Sequence, residues 1–97
     1  MSGLIQVTPQ DLETKSQEFS AESQGVGEQV GRISGKISDL SGVWKGSSST
    51  AFADQWERLK PSLVEMQTML DEVSQQLQNT ANALRDADEE IANKIRG

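Results

Sequence analysis

The sequence has no cysteine, no histidine and no tyrosine, and only two prolines. Without cysteine there is no disulfide and no thiolate nucleophile; without histidine there is no imidazole base and no common zinc donor. The redox compartment is left open. Aromatic residues reach only 4%, poor material for a globular core, although 34% hydrophobic and 25% charged residues exclude an obviously disordered chain. Basic residues are also scarce, nine against fifteen acidic ones, and the net charge of −6 disfavours nucleic acid and anionic lipid as partners. No segment approaches the roughly 20 apolar residues of a membrane-spanning helix. Met1–Val7 lacks the basic region, apolar run and small-residue cleavage site of a standard signal peptide. The 97 residues make one small domain. Carboxylate pairs are present, but on amphipathic helices and without a phosphate loop or metal-ligand spacing, so neither catalysis nor a cofactor or metal site is expected.

What remains is helical periodicity interrupted once. In Ser41-Gly42-Val43-Trp44-Lys45-Gly46-Ser47-Ser48-Ser49, Gly42 and Gly46 permit conformations that stop a helix, and the serines supply hydroxyls to cap the next one. This predicts a hairpin with helix 1 over about 9–41, a turn over about 42–47 and helix 2 over about 48–94. Trp44 is expected to fold between the arms, its indole N–H meeting an acceptor.

Thr8-Pro9-Gln10-Asp11 reads as a capping box with proline in the first turn. Leu12, Phe19, Val26, Val30, Ile33, Ile37 and Leu40 then form one stripe, with Ser16 and Ser23 where an unbroken heptad would place aliphatic residues. Gly27, Gly31 and Gly35 lie beside that stripe and suggest a face on which another helix packs closely. In the second arm Phe52, Trp56, Leu59, Leu63, Met66, Leu70, Val73, Leu77, Thr80, Leu84, Ala87 and Ile91 alternate steps of four and three, a coiled-coil-like seam that includes Phe52 and Trp56 as packing residues. Pro61 predicts a kink rather than a stop, because the pattern continues in phase. Asp86, Asp88, Glu89 and Glu90 oppose the helix dipole and predict fraying of the last turns. Val43, Ala53, Val64, Met69 and Ile95 fall off the stripes and leave apolar surface for another chain. The fold class is therefore an all-α hairpin that dimerises into an antiparallel four-helix bundle.

With Trp44-Lys45-Gly46 at mid-chain, a serine-rich start to the second helix, and Ala51-Phe52-Ala53-Asp54-Gln55-Trp56 after it, the chain resembles the WXG (early secreted antigenic target-like) family of small type VII secretion proteins. The similarity runs over nearly the whole chain and is greatest to homodimeric members of Gram-positive bacteria. It implies a non-enzymatic protein made in the cytoplasm and exported folded, without a cleaved signal peptide, as secreted substrate or structural or chaperone component. It implies as partners a second copy or a related protein, and a membrane-bound ATPase of the FtsK/SpoIIIE type, with no stable membrane insertion. Trp44 and Gly46 match the family's turn motif. Family members carry a Tyr-x-x-x-Asp/Glu export element in the C-terminal helix; here Leu84 stands at the aromatic position and Asp88 at the acid, followed by Ile91. Two other readings of the amphipathic helices are a cytosolic coiled-coil adaptor and a membrane-active protein.

Overall fold

The computed structural model describes residues 7–96 as two helices, α1 (Pro9–Val43) and α2 (Ser47–Arg96), packed as an antiparallel hairpin 77 × 27 × 16 Å. There is no strand among the described residues. α1 starts on the expected capping box: the Thr8 hydroxyl accepts from the Asp11 amide at 3.1 Å, and the Asp11 carboxylate accepts from the Thr8 amide at 3.3 Å. Pro9 sits where its missing N–H costs nothing.

The turn is shorter than its sequence suggests. α1 runs through Gly42 to Val43, and among the described residues only Gly46 takes a positive φ, at 127°. One left-handed residue thus reverses the chain, with Trp44 extended before it (φ −100°, ψ 102°). Trp44 does not fold between the arms. It remains 38% exposed and rests against Phe52 on the first turns of α2, ring centres 5.9 Å apart at 49°. The space between the arms at that end is taken by Ser49, Ala53 and Trp56, which are buried or half-buried. Ala53 therefore belongs to the seam rather than to an outer surface.

α2 continues through Pro61 without a stop. Its last turns are helical to Arg96, not frayed; Lys94 and Arg96 near the C-terminus offset the carboxylates that oppose the dipole. At about 1.5 Å per residue the helices measure about 52 and 75 Å, so α2 outruns α1.

The contact between the helices joins half-buried aliphatic residues to a line of small and polar ones. The Ser16 hydroxyl donates to the Ser74 carbonyl and the Ser74 hydroxyl donates to the Ser16 carbonyl, each at 2.8 Å. The Ser23 hydroxyl donates to the Gln67 carbonyl at 3.1 Å. The Trp56 indole N–H donates to the Ser34 hydroxyl at 3.1 Å. In the pairs 16 with 74, 23 with 67 and 34 with 56 the partner numbers sum to 90, which fixes a constant register along the hairpin. Hydroxyls that reach a neighbouring helix's backbone require short side chains, and Ala81, fully buried, extends the same line. The heptads written as serine are thus the points of closest approach.

Candidate functional site: an apolar face and an overhanging tail

Several seam residues are followed, three positions later, by an apolar residue to one side of the seam. Phe19 follows Ser16 and Val26 follows Ser23 in α1; Phe52 follows Ser49, Leu59 follows Trp56 and Met66 follows Leu63 in α2. Three residues turn an α-helix by about 300°, so each of these side chains lies about 60° to one side of the seam in the same rotational sense. In an antiparallel pair, equal rotation about each helix's own axis brings both lines to the same face. The hairpin therefore has one apolar face running along both arms. Phe52, Leu59 and Met66 are exposed on it, as is Leu40 beside the turn. Phe52, Gln55, Trp56 and Leu59 line a shallow groove there, next to Trp44.

This corrects the reading of the second-arm pattern as a single seam. Its alternate members divide: Trp56, Leu63, Leu70, Leu77 and Leu84 are buried or half-buried against α1, whereas Phe52, Leu59 and Met66 are not. The line that completes the seam is Ala53, Lys60, Gln67, Ser74 and Ala81, also seven apart and largely polar. Those residues carry no hydrophobic signal; their common heptad phase beside Trp56 is the cue that identifies them.

The glycines also divide. A methyl group at Gly27 would lie 2.8 Å from the Gln67 side-chain nitrogen, so Gly27 faces α2 and leaves room for the Gln67 amide. Gly31 and Gly35 have nothing within 4 Å and face away from α2. Among the exposed apolar residues off the main stripes are Val43, Val64, Met69 and Ile95.

By the register of the seam Pro9 lies opposite Ala81, so α2 beyond Ala81 extends past the start of α1. Leu84 is half-buried at that boundary, and Asp88 and Ile91 are exposed on the overhang. Four and seven residues after Leu84, they share one side of the helix with it. The boundary is marked by an ion pair absent from the periodicity argument. The Arg85 guanidinium grips the Glu13 carboxylate with both terminal nitrogens, one contact being Nη1 to Oε2 at 2.8 Å and the other Nη2 to Oε1. Gln78 adds a hydrogen bond to Glu13 Oε2 at 3.2 Å and another to Asn82 at 3.2 Å. The Arg85 and Gln78 hydrogen bonds hold the Glu13 carboxyl down to about 2. The other ion pairs of the described residues lie within a single helix.

The described residues contain no cluster of three or more potential metal ligands, and no helix among them is long and apolar enough to cross a membrane. The arrangement offers surfaces for other helices.

A family model for proteins of about 100 residues carrying a WXG motif matches residues 4–89. Protein YukE of Bacillus subtilis is 52% identical over 97 residues, the full length of both chains. The type VII secretion system extracellular protein A of Staphylococcus aureus is 24% identical over 92 residues, 95% of each chain. Among solved structures, EsxA of Geobacillus thermodenitrificans superposes with a TM-score of 0.86 at 41% identity, covering 94% of this chain and all of that one.

Proposed function

This chain belongs to the WXG100 family, and from that premise we propose that it is a non-enzymatic protein exported by a type VII secretion system, working as a four-helix dimer of two hairpins. Secretion rests on relatives such as the Staphylococcus aureus extracellular protein of similar length. Dimerisation rests on one observation above the others: the hairpin spends its small polar residues on its own seam and leaves Phe52, Leu59 and Met66 exposed on a single face. Covering that face removes apolar area from water, and the self-complementary solution is a second copy run antiparallel.

In this reading the bundle is a scaffold and the overhanging end of α2 is the address. Leu84 and Ile91 act as apolar anchors and Asp88 as the acid of a helix laid into a groove of a membrane-bound ATPase of the FtsK/SpoIIIE type. Trp44 and Gly46 shape the opposite end, which an antiparallel arrangement brings beside the partner copy's tail. Phe52 and Trp56 stand on either side of the boundary between apolar face and seam. Gly31 and Gly35 provide a small-residue surface on α1 outside the seam.

Immunoblotting of culture medium from host cells with and without the secretion ATPase tests export. Protein that reaches the medium equally in both strains, or in neither, overturns the reading. Light scattering at micromolar concentration should give twice the 10.6 kDa chain mass; a monodisperse monomer argues against the dimer.

A further inference from the structure

Arg85 stands in Leu84-Arg85-Asp86-Ala87-Asp88-Glu89-Glu90, three residues before Asp88 and four before Glu89. Those are the spacings at which helical side chains pair, so in an isolated helix the guanidinium would turn forward onto the tail's own carboxylates. In the folded chain it is held elsewhere. Glu13 takes both of its terminal nitrogens in a two-point contact, the geometry in which guanidinium and carboxylate bind most strongly. Gln78, bonded to both Glu13 and Asn82, fixes the acceptor in place. Arg85 is also the one cation of α2 within a turn of Asp88, since Lys94 lies six residues beyond it.

We propose that Glu13 is a positioning residue for tail recognition: by occupying Arg85 it keeps Asp88 and Glu89 unpaired and available to a cationic site on the export machinery. This rests on the reading of the α2 overhang as the address. Glu13 itself never meets the receptor; it acts by withdrawing a competitor.

Three variants test this in the full-length dimeric protein. Glu13→Gln frees Arg85 to pair with Asp88 and Glu89, and export should fall about twofold, the population shift one exposed intrahelical pair supports. The double variant Glu13→Gln with Arg85→Gln removes the competitor as well, and export should return to the wild-type level. A purely structural clamp behaves in the opposite way, because the double variant lacks the clamp just as the single one does. If export stays reduced in the double variant, or is unaffected in Glu13→Gln, the proposal is overturned.

A second readout does not depend on export. The Asp88 carboxyl carbon resonance should move in Glu13→Gln and return in the double variant; an unmoved resonance overturns the proposal directly. Asp88→Asn separates this failure from failure of the underlying reading. If that substitution leaves export intact, Asp88 is not part of the address, and the resonance still reports whether Glu13 controls Arg85.

Discussion

Serine at 16, 23 and 34 does in this hairpin what leucine does in an ordinary coiled coil, but by a different balance of forces. Each hydroxyl bridges to the opposite helix, and no buried side-chain polar atom among the described residues is left without a partner. A short side chain gives up hydrophobic burial and gains close approach with a satisfied hydrogen bond. Enlarging one of these residues should therefore harm the fold although it would improve the heptad on paper. Ser23→Leu places a branched side chain against the Gln67 backbone and is expected to cost about 1–3 kcal/mol through overpacking. A thermal melt should show this as a fall in Tm; an unchanged or raised Tm would mean that the seam tolerates an aliphatic ladder. Ser16 and Ser23 are recognisable in sequence as interruptions of the stripe. That they are the buried points, while Phe52 and Met66 are not, depends on which side of each helix the partner approaches, and periodicity within one helix carries no information about that. Trp44 shows the same limit. Its need for cover is evident from its size, yet cover comes from Phe52 outside the seam, and the expected indole hydrogen bond is found at Trp56 instead.

At the scale of elements, the ends of the two helices are governed by different chemistry. The α1 start was legible because capping is local: Thr8, Pro9 and Asp11 act within one turn. Its end was less so, because Gly42 tolerates the helix that Val43 continues, and Gly46 alone supplies the reversal. Long-range pairing was not legible at all. Glu13 and Arg85 are 72 residues apart and carry no motif. Their pairing gives a pH signature whose sign follows from the depressed acid: the carboxyl falls from an ordinary 4.5 to about 2 on folding. Its contribution to stability is thus complete above about 4.5 and disappears as pH drops towards 2. Wild-type protein should be more stable than Glu13→Gln at neutral pH, and the difference in Tm should close across that acidic interval. A difference that persists unchanged at the acid end would show that the pair does not stabilise the hairpin through charge.

For the whole molecule, the decisive property is that its two long faces differ. Met66 lies on the apolar face and is 42% exposed; Val64, three residues before the seam residue Gln67, lies on the opposite face and is 46% exposed. The two side chains are comparably wet in the single hairpin, so a charge at either position should disturb the isolated chain to a similar, small extent. They differ only if a second copy covers one face. A carboxylate at position 66 would then be carried into an apolar interface without a partner, a cost far above that of the same group in water. Met66→Asp is accordingly expected to lower the mass in light scattering towards that of one 10.6 kDa chain and to reduce export with it. Val64→Asp should leave both near wild type. Loss of association in Val64→Asp with retention in Met66→Asp would place the contact on the wrong face, and equal behaviour of the two would remove the argument that the asymmetry of the hairpin selects its partner.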